Sequence, residues 1–250
     1  MKLVIFDLDQ TLVDLISVHD ATAQELFRTF FNVHVSLNEI DFAGKSLTEN
    51  LAELARLKGV AENEFVQKSK SLLQSYNKIF EAKLPPTAAN YILPGVIPLL
   101  QELSKTDNLV VLYTGDSPGV TERVLKVTGL NKYFKFSVHG TEANSRVELA
   151  EMAIAKAEEL TGNKFVGKDV VIIGDSVRDV DCGRQLNALT IAVATGFHSE
   201  KELRSRNPDY LFKNLEEYSK VVQIIEESPS SVSAVELSSR SIAKEGGGNL

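Results

Sequence analysis

Lys2-Leu3-Val4-Ile5-Phe6-Asp7-Leu8-Asp9-Gln10-Thr11 is the stretch whose reading decides the fold. Leu3 to Phe6 is a continuous apolar run rich in β-formers, the pattern of a strand buried on both faces. It stops at Asp7, and a second carboxylate follows at Asp9. Positions i and i+2 of an extended chain point the same way. Asp7 and Asp9 can therefore face one small volume at the carboxyl end of the strand, where open α/β sheets bind ligands. Two carboxylates held together repel unless a cation or a shared proton intervenes. Mg²⁺ suits such a site, because it takes oxygen ligands and commonly bridges to phosphate. An acidic strand end that opens a solvated loop would look the same over these ten residues, so the rest of the chain has to decide.

The 250 residues can bury a full core, as one large domain or a domain carrying an insertion. Net charge is −7 and no run of Lys or Arg is long enough to neutralise a nucleic-acid backbone, which argues against general nucleic-acid binding. Only four apolar residues separate Lys2 from Asp7, too few for a signal peptide, and no later run reaches membrane-spanning length. Cys182 is the single cysteine, so no internal disulfide forms, and His19, His34, His139 and His198 lack zinc-type spacing. The expectation is a soluble cytoplasmic protein. Oligomeric state is not readable.

After Thr11 the periodicity becomes helical. Helices are expected over about 17–32, 47–58 and 62–83, the last ended by Pro85-Pro86, with no convincing strand between Val13 and Tyr91. This reads as an all-helical insertion, a cap over residues 14–91. From Leu93 the pattern alternates: helices near 96–104, 118–128, 144–160, 178–186 and 215–225, and strands near 109–113, 134–138, 170–173 and 189–193, with an edge strand at 210–212. Such alternation predicts a parallel, doubly wound α/β sheet of Rossmann type, built from residues 1–13 and 92–227. The Ser- and Gly-rich segment 228–250 reads as a disordered tail.

Three buried strands end in related chemistry: Asp7 and Asp9 after the first, Thr114-Gly115 after the second, and Gly174-Asp175 followed by Asp179 after the third. This ordered set resembles the haloacid dehalogenase-like hydrolase superfamily over about residues 1–225, in its helical-cap, phosphoglycolate phosphatase-like branch. The resemblance implies a Rossmann-like core with a helical cap inserted after the first motif. It also implies that Asp7 attacks phosphorus and forms an aspartyl-phosphate, and that Asp9 is the acid and base. Thr114, Gly115 and Arg146 would bind phosphate, Arg146 standing where the family normally has Lys. Mg²⁺ would be held by Asp7, the Asp9 backbone carbonyl and Asp175, with Asp179 and Thr11 supporting the site. An acid at position 9 favours phosphate esters over halides, because an alkoxide needs a proton to leave. The substrate so implied is a small phosphorylated metabolite.

Phe42-Ala43-Gly44-Lys45-Ser46 lacks the upstream glycine and preceding strand of a P-loop. It reads either as a solvated turn or as a specificity loop, with Gly44 over the site and Lys45 meeting an anionic leaving group. The same core residues serve a phosphosugar mutase, and a receiver-like phospho-acceptor shares the acidic pocket, though it lacks both the cap and the acid at Asp9. The bland reading leads elsewhere: Cys182 as a packed residue, Asp181 as solvated, the histidines as surface or core residues. Asp116 reads as the end of its strand or as a neighbour of the site.

Overall fold

The computed structural model describes residues 1–229; residues 230–250, which hold nearly all of the expected tail, lie outside the described residues. Six parallel strands form one sheet: β1 (Leu3–Phe6), β2 (Leu109–Thr114), β3 (Ser137–His139), β4 (Val170–Gly174), β5 (Leu189–Val193) and β6 (Tyr210–Phe212). Their order is β3-β2-β1-β4-β5-β6, which places β1 at the centre with β2 and β4 on either side. The pairing runs Leu3 to Phe6 against Leu109 to Leu112 and against Val170 to Ile173. Strand order reverses between β1 and β4, and in open α/β sheets a crevice for ligands lies at such a switch point.

The unbroken apolar runs have a two-sided cause. Val4 and Phe6 of β1, Val110 and Leu112 of β2, and Val171 and Ile173 of β4 face one core. Leu3, Ile5, Val111, Tyr113, Val170 and Ile172 face a second core on the opposite side. Helices α1 (Ile16–Phe31), α2 (Leu47–Leu57) and α3 (Glu62–Lys83) follow β1. Then come α4 (Val96–Leu103), α5 (Pro118–Thr128), α6 (Arg146–Thr161), α7 (Val177–Gln185), α8 (Glu200–Ser205) and α9 (Tyr218–Glu227). α6 and α7 cover the second core with Leu149, Ala150, Ala153, Ala157 and Cys182, while α4, α5 and α9 cover the first. No strand longer than an isolated bridge occurs between Val13 and Tyr91, as the helical periodicity predicts.

The differences from the sequence reading are local. β3 lies at 137–139 instead of 134–138, because Asn131–Tyr133 takes a single 3₁₀ turn that delays the extended segment. α9 begins at Tyr218, not Leu215. α8 went unanticipated; its six residues carry only one buried apolar side chain, Leu203, and its start is made by the Ser199–Glu202 capping box. Among the described residues no helix is long and apolar enough to cross a membrane.

Candidate active site

Each motif residue leaves the same edge of the sheet. Asp7 follows the last residue of β1, Thr114 ends β2, and Asp175 follows Gly174 at the end of β4. Backbone bonds hold the ends together: the Asp7 amide donates to Ile173 at 2.9 Å, and the Gly140 amide to Thr114 at 2.7 Å. The Thr11 hydroxyl lies 3.0 Å from Asp175 Oδ1 and 3.3 Å from Asp7 Oδ2, so it bridges the two acids. Arg146 and Asp179 come from the first turns of α6 and α7, which Ser145 and Ser176 cap. All ten residues expected to form the site therefore lie around one cavity or directly behind its wall.

Asp179 is saturated. Its Oδ1 accepts from Tyr113 Oη at 2.6 Å and Arg146 Nε at 2.8 Å, and its Oδ2 accepts from the Ser176 amide at 3.0 Å and hydroxyl at 2.6 Å. Burial pushes its pKa up, but the charge of Arg146 and these donors outweigh it and hold the carboxyl below the usual range. The Arg146 guanidinium lies over the Tyr113 ring, 3.7 Å from its centre, and its Nη2 bonds Asp7 Oδ1. Asp179 thus fixes Arg146, and Arg146 reaches Asp7. A lysine in this place could supply the charge and bond both acids, but not the planar fork or the flat stacking on Tyr113.

Asp7 and Asp175 have fewer donors. Burial, with the charges of Asp179 and Asp9 beside it, raises Asp7 to about 7 although Arg146 pulls it down. Asp175 is pushed well above the carboxylate range by burial and by Asp7. Oxygens of Asp7, Asp175 and Asp179 lie within 4.8 Å of one another. Since the Asp179 oxygens are already committed, the pair that fits a divalent cation is Asp7 and Asp175. Burial and mutual repulsion raise both, and a divalent cation held between them would oppose both effects. Oxygen-only donors suit Mg²⁺.

The other side of the cavity holds a group the sequence reading missed. His19 of α1 is buried, with Nε2 3.3 Å from Asp9 Oδ2 and 3.9 Å from Asp116 Oδ2, and its Nδ1 is 2.8 Å from Tyr76 Oη on α3. Burial lowers its pKa, but Asp9 and Asp116 more than reverse this and raise it to about 9. Burial raises Asp9, yet His19 and a hydrogen bond with Asp116 bring it below its ordinary value. Burial raises Asp116 well above the carboxylate range, aided by Asp9. The expectation that the histidines are bland fails for His19. Its signal was available: it is a lone titratable residue on the apolar stripe of α1, alongside Ala23 and Leu26.

Helices between β1 and β2 close the cavity from above. The Leu47 amide donates to Gly115 at 2.8 Å, and Arg178 Nη1 donates to Ala43 at 2.6 Å. A Cβ on Gly44 would press on Arg178 Cβ at 2.9 Å, and its φ of +70° suits glycine. Lys45 lines the cavity, but its Nζ is 2.5 Å from Glu53 Oε2, so it is neither a solvated turn residue nor a free cation. Cys182 is buried and packed as expected, and Asp181 meets Arg206 at 3.5 Å near the surface.

Comparison with known proteins gives a consistent result. The phosphoglycolate phosphatase of Synechococcus elongatus is 26% identical over 220 residues, covering 85% of this chain and 93% of that protein. Pyrophosphatase PpaX of Listeria monocytogenes is 23% identical over 229 residues, covering 88% and 95%. The crystal structure of a β-phosphoglucomutase from Clostridium difficile superposes with a TM-score of 0.71 at 18% identity, covering 91% of this chain and 98% of that one, which speaks to fold. The family model of the haloacid dehalogenase-like hydrolases matches residues 4–193. The chain belongs to the haloacid dehalogenase-like hydrolases.

Proposed function

We propose that the protein is a Mg²⁺-dependent phosphatase that hydrolyses a small phosphate monoester through a phosphorylated Asp7. The observation that carries this reading is the placement of Asp7, Asp9, Thr114, Arg146 and Asp175 around one cavity at the carboxyl edge of the sheet. Asp7 and Asp175 would hold the cation with the Asp9 backbone carbonyl. When bound, it would neutralise the acids and draw in the phosphate. Asp7 attacks phosphorus while the P–O bond to the leaving group breaks. The Thr114 hydroxyl, the Gly115 amide and Arg146 donate to the phosphoryl oxygens. Asp9, ionised but hydrogen-bonded to Asp116 and 3.3 Å from His19, relays a proton from these neighbours to the departing oxygen, then takes one from the water that hydrolyses the aspartyl-phosphate, an exchange typically worth ~10²–10⁴ in rate. The covalent intermediate divides one difficult displacement into two easier ones.

In this reading residues 14–91 are a cap. The cap holds His19 against Asp9, excludes water when closed and admits small substrates in preference to folded phosphoproteins. Hydrolysis of p-nitrophenyl phosphate with Mg²⁺, with a chelator, and by an Asp7→Asn variant tests the proposal. Turnover only in the first case is expected; turnover by the variant at the parent rate refutes it. A mutase shares these core residues, and no observation favours it over the phosphatase.

A further inference from the structure

The leaving-group half of the cavity differs in kind from the phosphate half. Three cationic side chains line the cavity, Lys45, Arg146 and His19, and each already faces acids. Arg146 is met by Asp7 and Asp179, Lys45 by Glu53, and His19 by Asp9 and Asp116. A second anion on the substrate would find no unneutralised cation among these residues. It would instead meet the Asp9 and Asp116 carboxyls, which hydrogen-bond each other and flank the buried His19 Nε2, and the Asn50 Oδ1, a buried oxygen with no hydrogen-bond partner. One N–H of the Asn50 amide is committed to the Phe42 carbonyl at 3.2 Å, while its oxygen is an unmet acceptor.

The cavity is also lined by the apolar side chains of Ile16, Leu37, Phe42, Leu47 and Leu51. An anion moved against such a wall loses hydration without recovering hydrogen bonds. A hydroxyl group can donate to Asn50 and both donate to and accept from a carboxyl pair. We infer that the leaving group is an uncharged alcohol bearing further hydroxyl groups, and that esters whose leaving group carries a second anion are poor substrates. This rests on the phosphatase reading. It also sets the chain apart from relatives named for phosphoglycolate and pyrophosphate, both of which carry a second anionic group.

The test uses the full chain with Mg²⁺ and four substrates: the esters p-nitrophenyl phosphate, glycerol 3-phosphate and phosphoglycolate, and the anhydride pyrophosphate. Glycerol 3-phosphate should exceed phosphoglycolate and pyrophosphate in kcat/KM by at least about tenfold, because a site built for hydroxyl donors penalises ligands that leave its acceptors unmet. Hydrolysis of p-nitrophenyl phosphate with glycerol 3-phosphate no better than phosphoglycolate overturns the inference and leaves the phosphatase reading standing. No hydrolysis of any ester overturns the phosphatase reading itself, and the inference with it. Glu53→Gln adds a second arm by releasing Lys45. It should shift the phosphoglycolate-to-glycerol 3-phosphate ratio of kcat/KM upward by about threefold or more, a readout that loss of a surface ion pair alone would not move. An unchanged ratio contradicts the neutralisation of Lys45 on which the inference stands.

Discussion

Around Asp7 the charged side chains interlock through Arg146, Asp179, Tyr113 and Thr11, whereas around Asp9 the polar groups are sparsely bonded and the Asn50 Oδ1 has no partner. The first region is supplied by strand ends and the first turns of α6 and α7, so the sheet itself fixes its geometry. The second is assembled across a gap, with Asp9 and Asp116 from the sheet edge and His19, Asn50 and Tyr76 from the helices above it. The difference separates two tasks. Chemistry on phosphorus needs groups held rigidly whatever the substrate, while selection of a leaving group needs acceptors that only the right ligand satisfies.

The comparison is broken most severely at Asp7. Asp7→Asn should lower kcat by at least about 10³-fold, because no other group in the cavity is placed to attack. Its thermal stability should equal or exceed the parent's when metal is absent, since the buried carboxyl, raised to about 7, resists ionisation. Arg146→Ala comes next: it leaves Asp7 and Asp179 without their cation, and should cost about 3–5 kcal/mol in denaturant unfolding as well as activity. Arg146→Lys should recover stability only in part, because an ammonium lacks the planar fork that stacks on Tyr113 while bonding both acids.

On the leaving-group side, His19→Gln should alter the pH dependence of stability. The folded pKa of about 9 exceeds the ordinary 6.5, so the native state holds the proton more tightly. That contribution is complete below pH 6.5 and is lost as pH rises through 9. Its size is about 3 kcal/mol, and the variant should lack this slope in unfolding measured across the window. Asp7 acts in the same sense at lower pH: raised from 3.8 to about 7, its contribution is complete below 3.8 and lost as pH rises through 7. Added Mg²⁺ should therefore stabilise the protein most above pH 7. The smallest effect is expected for Lys45→Ala, a half-buried ion pair with Glu53, at no more than about 1 kcal/mol of stability.

What could be read from the residues follows the same division. Strands β1, β2 and β4 were legible because burial on both faces writes unbroken apolar runs, and their terminal acids and Thr114 stand at fixed offsets from those runs. Arg146 was legible only through the family resemblance, as the cation near the start of the helix expected over 144–160, and its bonds to Asp179 and Tyr113 depend on tertiary placement. His19 left one trace, a titratable residue on an apolar stripe, while Tyr76 and Asn50 left none, because each sits on a helix whose spacing looks structural. Only the packing of α1, α2 and α3 over the sheet edge brings them to the cavity. The pairing of Lys45 with Glu53, eight residues on, was equally invisible and changes the meaning of that lysine.

The most direct measurement is acid quenching of the enzyme during turnover of p-nitrophenyl phosphate with Mg²⁺, followed by mass spectrometry of the peptides. The account predicts a phosphoryl group on the peptide that contains Asp7, sensitive to hydroxylamine as an acyl phosphate is, and absent from Asp7→Asn. Turnover at the parent rate with no phosphoryl group on that peptide at any time, or with the group on another residue, would contradict it.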